Sequence, residues 1–361
     1  MFGCGKKPMR RLGLIGLPAD PTPTAQAWRD IAEDAALAVC EAPEESLRRF
    51  VDLFPAGTKI EVFDDRRELV DRAHPEAVEI TLPPAAQCGA VEFVAARRIP
   101  FMLQPPVTVN PDDVRAMAEA VLRYGAPSLV LDCLLFHPLV QKAKTLLDDG
   151  RIGEVQELYC KTHVGKGVPA GEASNYLDPA FNLSCANAFD RVALIERLLG
   201  PTAEVFGWAG KGCRMLSLKF QAPGRYGCRE EVYSPDLLVP DGSGSPVDTL
   251  EITGTDGILW LRNLTGRLVE SPKLTVKRKD ETTSWDDEAG DALAAVARAL
   301  RLRFTGRQCG DAPFYSVPDY ARAVAVNLAA ERSCREGKAV KVLGDYHLSV
   351  HSGAQRRHVS I

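Results

Sequence analysis

The sequence lacks the features that mark several classes of protein. No apolar run approaches the roughly 20 residues that cross a bilayer, and the short basic start, Met1 to Arg11, has neither the apolar stretch nor the cleavage site of a secretory signal. Neither the net charge of -4 nor the 25% share of charged residues indicates a nucleic-acid or anionic-membrane partner, which would need a concentrated basic face. We therefore expect a cytoplasmic protein without such partners.

Paired cysteines are also lacking. The ten cysteines are scattered along the chain and form no Cys-x-x-Cys pair. Several lie in apolar strand-like runs, namely Cys40, Cys133 and Cys160, where cysteine behaves as a small buried hydrophobic residue. Reduced thiols fit this pattern better than a disulfide or zinc framework, so we expect no metal site.

The first third of the sequence alternates strand and helix patterns. Apolar runs predict strands at residues 12–17, 37–40, 60–63, 77–82, 101–103 and 128–131, and helical patterns lie between them at 24–36, 44–54, 65–73, 89–97 and 111–124. Strands separated by helices imply right-handed crossovers and a parallel sheet with helices on both faces. The pattern predicts an α/β fold that begins with a doubly wound, Rossmann-like domain over residues 10–128.

After residue 150 strand patterns follow one another without helices between them. They lie at residues 155–163, 204–208, 215–221, 230–233, 250–253, 258–261 and 273–277. Such a series indicates an open, mostly antiparallel sheet. Helices predicted at 186–199 and 289–303 are expected to pack with this sheet, and a last helix is predicted at 319–335. We therefore predict a second, α+β domain over residues 129–340 and a C-terminal tail over residues 341–361.

Several short segments resemble one known family. They are Ala38-Val39-Cys40-Glu41, Leu82-Pro83-Pro84, Phe136-His137-Pro138, Asp149 to Val155, Leu198-Leu199-Gly200-Pro201 and Glu251 to Gly257. Together with the order of the two domains, they resemble the glucose–fructose oxidoreductase and inositol dehydrogenase family (Gfo/Idh/MocA) over about residues 10–340. The resemblance implies NAD or NADP as a possible cofactor, a small polar molecule in an interdomain cleft, and dimerisation through the exposed face of the second sheet.

The turn after the first strand, Gly16 to Pro21, departs from the family pattern. A dinucleotide-binding turn uses glycines so that backbone N–H groups approach the diphosphate at a helix N-terminus. Here only Gly16 fits, since Pro18 and Pro21 stand at the other two glycine positions and proline has no N–H and a fixed φ. Asp20 adds a negative charge beside a diphosphate. A plain strand-to-helix turn is therefore favoured over a phosphate site.

Three further positions correspond to the family's cofactor site. Glu41 ends the second strand, where an acid can bind ribose hydroxyls, although a solvated or capping carboxylate is the alternative. Pro83 and Gln104 follow the fourth and fifth strands. The family's Glu-Lys-Pro motif reads Gln104-Pro105-Pro106 here, so its lysine is replaced by Pro105, which can neither donate a proton nor orient a hydroxyl.

The resemblance also locates the family's catalytic Asp-x-x-x-His helix. Its aspartate position falls at Ala186 and its histidine position at Asp190. Asp190 could act as a base if burial raised its pKa, and its alternative role is an ion pair with a neighbour such as Arg191 or Lys161. Lys161 and His163 alternate on one strand and, with Asp190, could supply acid and base to a polar pocket, with a solvated strand edge as the alternative.

Four elements of the family's chemistry have changed together: the glycine turn, the lysine, the aspartate and the histidine. We therefore predict a protein that has lost conventional hydride transfer and acts as a binding, regulatory or partner subunit, in a homo-oligomer or with a paralogue. Two alternatives stay open. One is a repurposed non-redox enzyme for elimination, isomerisation or cyclisation, and the other is an NAD(P)-dependent oxidoreductase of a sugar-like or polyol substrate with displaced catalytic groups.

Overall fold

The computed structural model describes residues 9–105, 107–108, 110–163, 191–210, 213–221, 227–233, 247–264, 273–286, 292–308, 314–342, 347–348 and 359–360. The chain divides into two compact units, each discontinuous in sequence. The first comprises Met1–Cys133, Leu293–Ala321 and Leu348–Val359, and the second comprises Leu134–Ala292, Arg322–His347 and Ser360–Ile361. Within the described ranges, no helix combines the length and the apolar character that a membrane crossing requires.

A six-stranded parallel sheet forms the centre of the first unit. Its strands are β1 (Arg11–Ile15), β2 (Ala36–Cys40), β3 (Ile60–Phe63), β4 (Ala77–Ile80), β5 (Phe101–Leu103) and β6 (Ser128–Val130), in the order β3-β2-β1-β4-β5-β6. The connecting helices are α1 (Thr22–Ala32), α2 (Glu44–Asp52), α3 (Arg66–Ala73), α4 (Pro84–Ala96) and α5 (Pro111–Tyr124). This order confirms the predicted Rossmann-like doubly wound sheet.

The local sequence explains why these elements form. The central strands are apolar along their length, and Leu14, Val39 and Val78 are at most 1% exposed, as expected of a sheet covered on both faces. Helix α4 begins at Pro84, five residues before the predicted start at Gly89. A proline in the first turn loses no hydrogen bond and has a helical φ, so the Pro83-Pro84 pair that ends the strand also begins the helix.

The second unit contains a nine-stranded sheet in the order β14-β13-β12-β11-β7-β10-β9-β8-β15. Its strands are β7 (Val155–His163), β8 (Thr202–Gly210), β9 (Cys213–Phe220), β10 (Gly227–Tyr233), β11 (Val247–Gly254), β12 (Ile258–Arg262), β13 (Lys273–Arg278), β14 (Glu281–Asp286) and β15 (Val340–Lys341). All neighbours are antiparallel except β7 and β10. The predicted open, mostly antiparallel sheet is therefore confirmed.

The helices that follow the parallel sheet in sequence are divided between the two units. They are α6 (Pro138–Asp148), α7 (residues 191–199 of the described chain), α8 (Ala292–Phe304) and α9 (Val317–Glu336). We expected α8 to pack with the second sheet. Instead, nearly all of α8 belongs to the first unit, where Arg301 is 4% exposed and binds a carboxylate of the parallel sheet.

The two faces of the second sheet differ in what covers them. A Cβ added to Gly207 of β8 would lie 2.6 Å from the Cys334 Sγ, so α9 packs directly on the face to which Gly207 points. Because neighbouring residues of a strand point to opposite faces, Phe206 and Trp208 project from the other face. They are 47% and 55% exposed, which makes this an open face with two large apolar side chains.

A buried charge cluster joins four elements of the first unit. Glu79 of β4 is 0% exposed, and its two oxygens accept hydrogen bonds from the Trp28 indole at 2.7 Å, the Gln104 amide at 2.5 Å and the Arg301 guanidinium at 2.5 and 2.8 Å. Burial opposes ionisation of Glu79, but the Arg301 charge and the hydrogen bonds outweigh it. The pKa of Glu79 therefore lies below its ordinary value.

Replacement of Glu79 by Gln is expected to destabilise the fold by about 3–5 kcal/mol, because it leaves the buried Arg301 cation without a counter-ion. Denaturant unfolding of E79Q and of E92Q, an exposed control on α4, measures the difference. A carboxylate with a lowered folded pKa stabilises the fold at high pH, so the gap between wild type and E79Q should be constant above pH of about 5 and shrink below the unfolded pKa of about 4.3. An E79Q protein as stable as wild type would contradict this account.

Candidate functional site

The four predicted cofactor positions lie at one edge of the first unit's sheet. Gly16, Glu41, Pro83 and Gln104 follow strands β1, β2, β4 and β5, whose carboxyl ends are neighbours in the sheet. In open parallel sheets this edge is where ligands bind. The structure therefore brings the four positions to one candidate site, and the contacts of each side chain show what that site can hold.

Gly16 is required by packing within the chain. Its φ is +84°, its N–H donates to the Cys40 carbonyl at 2.9 Å, and a Cβ at this position would lie 2.5 Å from the Thr81 carbonyl oxygen. This glycine lets the loop after β1 approach the loop after β4. Its presence is thus explained by the fold, without a ligand.

An acid of the same loop lies beside the N-terminus of α1. The Asp20 carboxylate accepts from the Thr22 hydroxyl at 2.8 Å and from the Thr22 N–H at 3.2 Å, and it pairs with Arg49 at 3.0 Å. The Thr22 hydroxyl, the Thr22 N–H and then the Arg49 charge hold the pKa of Asp20 below its ordinary value, so Asp20 is ionised at neutral pH. Pro18, Pro21 and a further proline of the first turn, at position 23, supply no N–H.

Glu41 is also engaged within the chain. Its Oε1 accepts from Arg66 Nε at 2.7 Å and from the Arg66 backbone N–H at 3.0 Å, and its Oε2 accepts from Arg66 Nη2 at 2.6 Å. Both side chains are 22% exposed. This is a bidentate, partly buried pair between the end of β2 and the first residue of α3, which is the stronger class of charged hydrogen bond.

At the fourth and fifth strands the side chains also serve the fold. Pro83 is the residue before α4, and its backbone conformation (φ -52°, ψ 144°) directs the chain from β4 into that helix. The Gln104 amide donates to buried Glu79 at 2.5 Å, so it is turned toward the core of the unit. Pro105, which stands where the resemblance expects a lysine, follows immediately.

The three predicted catalytic residues belong to the second unit. Strand register aligns Cys160 of β7 with Gly207 of β8 through the intervening strands, so Lys161 projects from the face opposite to α9. Helix α7 is on the α9 side, since Arg322 of α9 donates to Glu196 of α7 at 3.1 Å.

The other two predicted catalytic residues are His163 and Asp190. His163 is described only as the last residue of β7, and Asp190 lies outside the described residues. The acid–base roles of Lys161, His163 and Asp190 therefore stay predictions. Across the described part of the chain, no cluster of His, Cys, Asp and Glu could hold a metal ion.

The residues at the first unit's edge do not fit an NAD or NADP molecule. A diphosphate needs free backbone N–H groups at the start of α1, where the Thr22 N–H is bonded to Asp20 and three prolines have none. The ribose hydroxyls need the carboxylate of Glu41, which is bonded on both oxygens to Arg66.

Sequence reasoning missed the partners of these groups. Arg49 and Arg66 lie 29 and 25 residues from the acids they bind, and Arg301 lies 222 residues from Glu79. An arginine at the start of the helix after β3 was the available signal for Arg66, because neighbouring parallel strands end at the same edge. No spacing in the sequence indicates the Arg301 contact.

Gly16→Ala is expected to destabilise the fold more than Gly57→Ala. Both glycines have a positive φ, +84° and +93°, but a Cβ at Gly57 meets no atom within 4 Å. The backbone strain of about 1–2 kcal/mol is common to both variants, and the contact with Thr81 should add about 1–3 kcal/mol to G16A alone. Thermal and denaturant unfolding of both variants provides the test. Equal losses would show that the loop has room for a side chain at Gly16.

Comparisons with known proteins extend this picture. No protein-family model matches the chain. A D-apiose dehydrogenase of Paraburkholderia graminis is 29% identical over 127 residues, which is 35% of this chain and 33% of that protein. A D-apiose dehydrogenase of Rhizobium rhizogenes is 24% identical over 39% of this chain and 40% of that protein. The chain thus matches between a third and two fifths of the length of these curated relatives.

Solved structures match over nearly the whole chain. An oxidoreductase from Agrobacterium radiobacter, in complex with NAD+, L-tartaric acid and magnesium, has a TM-score of 0.74 at 18% identity and covers 93% of this chain and 99% of its own. The WlbA dehydrogenase from Bordetella pertussis, in complex with NADH and UDP-GlcNAcA, has a TM-score of 0.69 at 15% identity and covers 93% and 98%. The resemblance seen in the sequence is therefore confirmed, and the chain has the two-unit fold of the Gfo/Idh/MocA oxidoreductase family.

Proposed function

We propose that this chain is a binding or partner subunit with the oxidoreductase fold, and that it does not carry out NAD(P)-dependent hydride transfer. The observation that carries the proposal is the end of β5. There Gln104 donates to buried Glu79, and Pro105 stands at the position of the lysine that the resemblance implies. This short segment serves the core of the unit and supplies no group that exchanges protons.

Hydride transfer between a nicotinamide and an alcohol or carbonyl needs a proton donor or acceptor at the substrate oxygen. A proline ring has neither, and a glutamine amide does not titrate near neutral pH. Lys161, a predicted acid–base residue, belongs to the second unit and projects from the face of its sheet opposite to α9. These positions support a protein that binds its ligand or partner without redox chemistry.

The second candidate is a sugar dehydrogenase with displaced catalytic groups. The comparison favours it, because two matched relatives, at 29% and 24% identity, are named as D-apiose dehydrogenases. Against it stand the contacts of Asp20, Glu41 and Gln104 at the edge where the cofactor would lie. The two candidates differ in one measurable property, the formation of reduced dinucleotide.

The purified chain is expected to form no NADH or NADPH above the buffer rate with D-apiose, other aldoses or polyols, followed by absorbance at 340 nm. A D-apiose dehydrogenase assayed in parallel provides the sensitivity control. Saturable, enzyme-dependent reduction with any of these substrates would overturn the proposal and establish the sugar dehydrogenase in its place.

We further propose that the partner is a second copy of the chain, bound through the open face of the nine-stranded sheet. Phe206 and Trp208, at 47% and 55% exposure, give this face an apolar centre near one end, and two copies of one face form a closed pair by a two-fold axis. The same face carries Lys219 and Glu204, which pair at 3.7 Å and form a polar rim beside the aromatic residues.

The double variant F206S/W208S is expected to shift the chain from dimer to monomer in size-exclusion chromatography with light scattering. V51S/V62S, which removes two exposed apolar side chains of the first unit instead, is the matched control and should stay dimeric. A wild-type chain that is monomeric at micromolar concentration, or a double variant that stays dimeric, would contradict the assignment of this face.

A further inference from the structure

We propose that two ions that belong to the chain itself, here called internal ions, occupy the dinucleotide positions at the carboxyl edge of the first unit's sheet: the Asp20 carboxylate in place of a diphosphate and the Arg66 guanidinium in place of a ribose. This inference rests on the proposed function and extends it, because it states what prevents cofactor binding. Loss of the glycines alone would weaken dinucleotide binding. The internal ions in addition compete with the dinucleotide for the groups that would bind it.

The first ion is Asp20. Its carboxylate lies before α1, accepts from the N–H and the hydroxyl of Thr22, and pairs with Arg49 at 3.0 Å. A diphosphate at a helix N-terminus uses the same kinds of partner, namely first-turn N–H groups and a nearby cation. The carboxylate, which is 63% exposed, therefore takes the Thr22 N–H, and its charge repels a second anion at that place.

The second ion is Arg66. It donates three hydrogen bonds to Glu41, from Nε, Nη2 and the backbone N–H, so that both carboxylate oxygens are engaged. Arg66 takes three of the roughly four acceptor positions of this carboxylate, so a ribose would have to share the Glu41 carboxylate with Arg66 or displace it, and both side chains are only 22% exposed. The 2′-phosphate of NADP could bind Arg66 only beside the Glu41 charge. The pair therefore opposes both dinucleotides.

The two ion pairs belong to consecutive crossovers of one sheet edge. Arg49 lies on α2, which follows β2, and Arg66 begins α3, which follows β3. Each of these helices thus places an arginine beside an acid. Arg49 lies beside Asp20 in the loop after β1, and Arg66 lies beside Glu41 at the end of β2. The edge carries no net charge from these four groups, since two carboxylates meet two guanidinium groups. The charges of these four groups are therefore balanced without a ligand.

The test restores the glycine turn and then removes each ion. Variant P18G/P21G recreates glycines at positions 16, 18 and 21, and D20N and R66A are added to it singly and together. Calorimetric titration with NAD, NADH, NADP and NADPH gives the dissociation constants. We expect weak binding by P18G/P21G, and a gain of about tenfold for each added substitution, as expected when one charge-assisted competitor is removed.

Matched substitutions in the same background separate these gains from general effects of charge. D112N removes an exposed acid from the first turn of α5, where it pairs with Arg115, and R72A removes an arginine of α3 that pairs with Glu68. Neither should change the affinity. Circular dichroism and thermal unfolding verify each fold. If the glycine variant does not fold, P18A/P21A restores the two N–H groups and takes its place.

The outcomes are distinct. Affinities that do not change when Asp20 and Arg66 are replaced, or no binding by any variant, would overturn the internal-ion proposal. Dinucleotide-dependent turnover by the wild-type chain would overturn the proposed function and, with it, the internal-ion proposal, whereas a failure of the binding test alone leaves the proposed function standing. Tightening with D20N and R66A, without turnover by wild type, supports both.

Discussion

A buried carboxylate in the middle of the first unit's sheet holds four elements to one another. Glu79 of β4 binds α1 through Trp28, the end of β5 through Gln104 and α8 through Arg301. A buried charge is tolerated only when its attraction to partners and its hydrogen bonds offset several kcal/mol of lost hydration. Displacement of any partner therefore leaves an uncompensated charge. This is why a helix that begins after residue 290 completes a unit whose sheet ends at residue 130.

The same constraint shapes the edge where a cofactor would lie. Since Gln104 is turned toward Glu79, the end of β5 is fixed from inside the unit and supplies no polar side chain to the edge at that position. The acids that remain at the edge, Asp20 and Glu41, are each bound by an arginine of a following helix. The buried carboxylate of the core and the two acids of the edge thus each have an arginine partner within the chain.

Much of this fold was predictable from the sequence. The bounds of β3, β5 and α5 agree with the apolar runs and caps, because buried strands are apolar throughout and Gly125 ends α5 in the left-handed conformation. Helix α6 and strand β14 were missed. The first starts at Pro138, which read as part of a junction motif, and the second is an edge strand without apolar alternation. Site positions could be located because strand ends converge, whereas their arginine partners depend on tertiary packing that no spacing encodes.

A turn that has lost its glycines and a position that is already occupied affect ligand binding differently. A turn that had merely lost its glycines would leave the start of α1 and the Glu41 carboxylate facing water, where both would still attract a ligand weakly. Here the start of α1 has an acid within its own loop, and Glu41 has a bidentate partner. These contacts stabilise the ligand-free protein, so a dinucleotide would have to share or displace a bonded group as well as find donors. The groups that would bind a dinucleotide at this edge therefore have partners in the ligand-free chain, and the cost of separating or sharing them adds to the effect of the missing N–H groups.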